Sequence, residues 1–345
     1  MDLDALSRRG LVVPVSIDPT GLHGPTPGQA RGPRWRRCGP NRYVPADVDP
    51  GFVDQRILEA VCGLPQDAAV TGWAALHWQG ARWFGGYGHD GRARLDVPIA
   101  LGQHLRGARS RPGVDLTQDW LFDDDLIVVD GLLITDPMRS VSFEARRARG
   151  LATAVRVIDM AANNDLIDLT SLAAYTERLI ARPGVRQLRA AIGLADENVW
   201  SPQETTMRLR WTDRTGRRPA TNRPVFDLAG NHLFTADLLD EEHGVLGEYD
   251  GAVHIEVRPR RRDLNRDALY RDLGLECVTM MSIDHRDLSD FTRRLHAAYR
   301  RAGRSPGQRA WTTEQPYWWV DTSTVAARRG LDADQRAIWL RRNAG

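Results

Sequence analysis

The segment Asp237–Gly251, DLLDEEHGVLGEYDG, constrains the fold of this chain more than any other. Two apolar runs, HLFTADLL and VLGEY, flank Asp240–Gly244, a stretch of turn formers and charge, and the pattern predicts a β-hairpin. With the loop at Glu241–Gly244, Asp240 faces Val245 and Asp237 faces Glu248. Directly opposed side chains on one sheet face sit about 5 Å apart, and like charges there are destabilising. Asp250 points to the same face as Glu248, because strand side chains alternate. Three acids on one face make a poor arrangement unless a divalent cation sits among them, since hard cations such as Mg²⁺ want carboxylate oxygens. Asp240, Glu241 and Glu242 are expected to be ordinary solvated turn residues. Asp237 and Glu248 fit that description less well, being bracketed by apolar neighbours.

A chain of 345 residues suits two domains, or one with an extension. Its apolar runs fall far short of the roughly 18 residues that span a bilayer, so no membrane partner is expected. The N-terminus, MDLDALSRRG, lacks the apolar stretch of a signal peptide. Cys38, Cys62 and Cys277 are far apart and form no CxxC pair, which argues against structural zinc and a disulfide scaffold. A reducing, cytoplasmic setting is the expectation. The chain contains no lysine. A GC-rich coding sequence explains that as readily as phosphate binding does, but either way no step can use a lysine. Net charge is only +2, yet the cations cluster: Arg31, Arg34, Arg36 and Arg37; Arg208, Arg210, Arg214, Arg217 and Arg218; Arg258, Arg260, Arg261 and Arg262. Such clusters are either solvated faces or local phosphate sites, and the last two flank the acidic hairpin.

Four regions follow. Residues 1–50 are a basic, Gly- and Pro-rich lead-in, with a small hairpin expected at Pro33–Ala46. Residues 51–197 form an α+β domain, with an Asp130-Gly131 hairpin turn and helices from Pro137 onward. Residues 198–302 read as helix, strand, acidic hairpin, helix, strand and helix, an α/β domain around a mixed sheet. Residues 303–345 carry Trp311, Trp318, Trp319 and Trp339, aromatics expected to pack back onto the body.

Within 198–302, SPxE-x3-R from Ser201 to Arg208, the aspartate Asp237, E-Y-D-G-x2-H from Glu248 to His254, and a D-x2-R-D helix from Asp263 to Asp267 stand in order. Together they resemble the very-short-patch-repair-like branch of the PD-(D/E)XK endonucleases. The resemblance implies a restriction-endonuclease-like mixed sheet flanked by helices. It also implies that Asp237 and Glu248 bind Mg²⁺ (or Mn²⁺), with Glu204 as a supporting acid. Asp250 stands where the wider superfamily has lysine, and joins the candidate metal and catalytic residues. His254 is a candidate general base or phosphate contact; its alternative is a structural role. Arg208, Arg258, Arg261, Arg262 and Arg266 are DNA-phosphate candidates, the alternative for Arg266 being salt bridges to Asp263 and Asp267.

Residues 33–195 carry WRRCGPNRYVPA, VTGWAALHWQGARW and DDDLIVVDGLLITDPMRSVSFEARR. These resemble the family of AbiEi-type antitoxins, with Thr135, Pro137 and Arg139 matching and Ser140 and Glu144 replacing the usual Thr and Asp. A degenerate winged helix is the implied element, although residues 15–40 hold too many Gly and Pro for two helices. The leading expectation is thus a metal-dependent DNA endonuclease in defence or DNA processing. The alternative is a non-catalytic, antitoxin-like DNA-binding regulator with a toxin or defence partner. A third reading makes the Trp-rich tail a protein-interaction module.

Overall fold

The computed structural model of the chain describes residues 6–65, 67–88, 91–102, 111–250, 260–285, 287–304 and 309–342, except for the side chains of 260–265, 285 and 342. Two compact units emerge. The first comprises Met1–Ala148 and Ser171–Leu188, the second Arg149–Thr170 and Arg189–Gly345. Residues 149–170 and 189–197, which the sequence places with 51–197, cluster with the second unit.

In the first unit the hairpin β1 (Trp35–Gly39) and β2 (Arg42–Pro45) precedes helix α1 (Val53–Val61). Strand β3 (Ala69–Val70), helix α2 (Gly72–Trp78), strands β4 (Val97–Ala100), β5 (Val114–Thr117), β6 (Leu126–Val129) and β7 (Leu132–Thr135), and helix α3 (Pro137–Arg147) follow. The five strands β3–β7 make a mixed sheet in the order β5-β4-β3-β7-β6. The β6–β7 turn forms where expected, with Asp130 and Gly131 both at positive φ, 48° and 74°. Residues of the second resemblance serve packing here. Glu144 accepts the Trp73 N–H at 2.7 Å near the start of α2, and buried Arg139 pairs with Asp119, which also holds Arg146 and Arg182.

Helices α4 (Leu151–Asn163), α5 (Leu169–Glu177) and α6 (Val185–Leu194) come next, the last two straddling the division. The second unit continues with α7 (Pro202–Thr215), β8 (Ala220–Asp227), β9 (His232–Asp240), β10 (Val245–Asp250), α8 (Arg260–Asp272), β11 (Glu276–Met281), α9 (Ser289–Ala302), β12 (Trp311–Thr312), α10 (Val325–Arg329) and α11 (Ala333–Arg342). Its sheet runs β11-β10-β9-β8-β12, with β10 and β11 parallel and the other pairs antiparallel. Met207 and Trp211 of α7 share one core with Phe291, Leu295 and Ala298 of α9. Tyr270 of α8 and Leu275 share another with Phe234, Leu239, Leu246 and Trp311. The unit is an α/β domain with a mixed sheet between helices, as its element order predicts. Trp311 and Trp339 of the tail are buried, while Trp318 stays about half exposed.

The acidic hairpin has the expected register: Asp240 pairs with Val245, Leu239 with Leu246 and Leu238 with Gly247. Gly247 is the residue that lets α7 lie close. A β-carbon there would meet the Trp211 ring at 2.8 Å, nearer than such atoms approach in folded proteins. That close seat packs Met207 and Trp211 of α7 against β10.

Candidate active site

Glu204 sits in the first turn of α7, where local sequence determines its direction. Ser201 caps the helix by accepting the Glu204 N–H at 3.2 Å, and Pro202 opens it with φ already helical. Glu204 returns toward the cap, its Oε2 accepting the Trp200 N–H at 2.9 Å, one residue before the usual capping-box partner. Asn222 Nδ2 donates to the same oxygen at 2.7 Å. The side chain is buried, and among the described residues no cation pairs with it.

Asp237 lies where the central strand loosens on both sides. The β9–β10 ladder ends at Leu238 and Gly247. The β8–β9 ladder pairs Thr221 with Leu238 and Arg223 with Ala236, passing over Asn222 and Asp237 between them. Asn222 occupies that gap in the left-handed region, with φ 42°. Freed from the ladder, Asp237 accepts the Tyr249 N–H through its carboxylate at 2.8 Å. Strained backbone of this kind concentrates at functional sites.

The electrostatics follow from burial. Desolvation, then the charge of Asp237, pushes Glu204 up to about 7. Desolvation also pushes Asp237 up to about 6; the Tyr249 N–H and Arg266 work against the rise, while Glu248 adds to it. Protons on this pair belong to the pair rather than to either residue. Glu248 is better satisfied: the Tyr270 hydroxyl donates to its Oε1 at 2.5 Å, and Arg266 Nη2 lies 2.5 Å from the same oxygen. Burial first, and then the Glu248 carboxylate, raise the Tyr270 hydroxyl well above its ordinary value.

Glu204, Asp237 and Glu248 are thus brought to one region, with Arg266 paired to Glu248; the side chain of Asp263 lies outside the described residues. Asp250 is exposed at the end of β10, opposite Met281. Among the described residues, the three ligand-type groups within 4.8 Å of one another are Asp240, Glu242 and His243, not Asp237, Glu248 and Asp250, nor Glu204, Asp237 and Glu248. That turn cluster could hold a cation. Asp240 is not the solvated residue its position suggests, since it is buried with Tyr299 donating at 2.6 Å and His243 at 3.2 Å through its backbone. Burial would raise the Asp240 carboxyl, but Tyr299 and His243 hold it below the usual range. Glu242 remains exposed.

Arg208 is not available to a phosphate. It is buried, donating to Asp159 at 2.9 Å and to the Leu194 carbonyl at 2.6 Å, because its position in α7 faces inward. Its neighbours Arg210, Arg214, Arg217 and Arg218 are each within ion-pair distance of an acid. His254 and Arg258 lie outside the described residues, as do the side chains of Arg261 and Arg262. Sequence reasoning missed Asn222 and Tyr270. A polar residue in a strand and a tyrosine in a helix carry no signal of their own; only the register and the fold bring them to Glu204 and Glu248.

No family model, curated protein or solved structure matches the chain. Among the described residues no helix is long and apolar enough to cross a membrane, and all three cysteines are free.

Proposed function

We propose that the second unit is a divalent-cation-dependent phosphodiesterase acting on DNA, built on a restriction-endonuclease-like sheet. Asp237, Glu248 and Glu204 are its carboxylates for Mg²⁺ or Mn²⁺. One observation carries this reading: buried Glu204 lies beside half-buried Asp237, both are raised in pKa chiefly by desolvation, and among the described residues no cation pairs with Glu204. Burying two like charges is costly, and an all-oxygen donor set suits a hard cation. A bound cation would supply an activated water and a clamp on the scissile phosphate. The chain's own part is orientation. Trp200 and Asn222 hold one oxygen of Glu204, and the Tyr249 N–H holds one of Asp237. Arg266, about half exposed, offers a guanidinium to a phosphate oxygen beside Glu248. Asp250 in place of lysine leaves the orientation of water to these groups.

A second reading, an antitoxin-like DNA-binding regulator that does not cut, is favoured by Glu248, whose Oε1 is already shared by Arg266 and Tyr270. A cleavage assay on duplex, mismatched and single-stranded DNA in Mg²⁺ or Mn²⁺ separates the two. The nuclease reading expects cleavage that is lost in Asp237→Asn and Glu204→Gln. Salt-dependent binding without cleavage, unchanged by those substitutions, would establish the regulator instead.

A further inference from the structure

A cavity of about 220 Å³ opens in the second unit between the early part of β8 and the tail. Three indoles line it: Trp200, Trp319 and Trp339. Trp200 and Trp339 meet edge to face with ring centroids 5.3 Å apart, and His232 stacks on Trp319 at 4.9 Å, holding that ring in place. The polar part of the lining carries both signs, Arg223 from β8 with Asp196 and, from the tail, Asp321. Trp200 also has a buried indole N–H with no acceptor.

The volume is below the roughly 300–1,000 Å³ of sites that take drug-sized ligands, which suits a one- or two-ring heterocycle. Aromatic walls favour a flat π-system, and a wall with one guanidinium, two carboxylates and several amides and hydroxyls favours a ring with donors and acceptors on its edge. Nucleobases have this chemistry, and stacking on aromatic side chains is how unpaired bases are held.

Position adds the decisive point. Trp200 and Asn222 line the cavity, and they are also the two residues whose N–H groups hold Glu204 Oε2. The cavity and the acid site therefore share a wall. We propose that this cavity is a nucleobase pocket, holding a base turned out of its stack while its sugar–phosphate runs toward Glu204 and Asp237. The assignment of substrate class rests on the phosphodiesterase reading above: it makes the substrate a single strand, or a nucleotide extruded from a duplex. Base binding itself does not rest on it.

Tryptophan-fluorescence titration of the full chain in EDTA tests the pocket, with 2′-deoxyguanosine 5′-monophosphate and deoxyribose 5-phosphate as probes. The nucleotide is expected to give a saturable change and the base-less sugar phosphate none. Affinity is expected to fall about tenfold or more in Trp319→Ala, the usual scale for loss of base stacking, and to fall in Arg223→Ala. A saturable change of equal affinity with the sugar phosphate, or none with the nucleotide on the wild-type chain, would overturn the proposal. Should Trp319→Ala fail to fold, the wild-type probe comparison and Arg223→Ala still decide it. No metal or cleavage is involved, so failure here is distinct from failure of the nuclease reading.

Discussion

Asn222 Nδ2 donates to Glu204 Oε2 at 2.7 Å from a backbone held at φ 42°. The strand distortion and the orientation of the acid are thus a single feature. Asn222→Ala removes the hydrogen bond and leaves a β-carbon in the left-handed region. It is expected to cost about 2 kcal/mol or more in urea unfolding. Asn222→Gly loses the bond but not the backbone tolerance, and is expected to recover about 1 kcal/mol of that loss. Equal stabilities for the two variants would show that φ at this position carries no strain.

The pH dependence has a definite sign. Glu204 and Asp237 keep protons in the folded chain up to about 7 and about 6, against ordinary values of 4.5 and 3.8. Between those limits the folded state binds more protons than the unfolded state, so stability from these groups is full at low pH and is lost as pH rises through the window. Asp159, raised to about 6 by burial, acts in the same direction. In metal-free buffer the melting temperature is therefore expected to fall between pH 5 and pH 8 by a larger amount in the wild type than in Glu204→Gln. The Asp159 contribution is common to both chains. Identical slopes would contradict the assigned burial of Glu204.

Arg208 and Asp159 form a buried ion pair at 2.9 Å, with Thr205 also donating to Asp159 at 2.8 Å. Removing one partner strands a buried charge, so Arg208→Met and Asp159→Asn are each expected to cost about 3–5 kcal/mol. The double variant is expected to cost less than the sum of the two. Chemical denaturation of the four chains measures the coupling. Additive losses would show that the two side chains do not depend on one another.

Tyr270→Phe deletes the hydroxyl that donates to Glu248 and leaves the buried ring in place. The expected loss is about 1 kcal/mol. If Glu248 joins a cation, Mn²⁺ affinity should change in this variant while the fold persists, which near-ultraviolet circular dichroism checks.

The hairpin was legible because its register depends on turn length and side-chain alternation, both local. Asp240 opposite Val245 follows directly from counting outward from Gly244. Counting could not show that Tyr299, far along the chain, reaches back to bury Asp240. Arg208 illustrates the same limit. Its neighbours in sequence are arginines on accessible positions of α7, but a helix turns about 100° per residue, and Asp159 of α4 takes the inward one. Strand β12 is too short to have a period, and Asn222 in the left-handed region leaves no mark in composition.

The most direct test of the central claim is Mn²⁺ binding measured by calorimetry on the wild type, Asp237→Asn, Glu204→Gln and Glu242→Gln. A site is expected in the wild type that is lost in the first two variants and kept in the third, whose exposed side chain belongs to the turn cluster. Binding that survives Asp237→Asn and Glu204→Gln but disappears in Glu242→Gln would contradict it and move the cation to the hairpin turn.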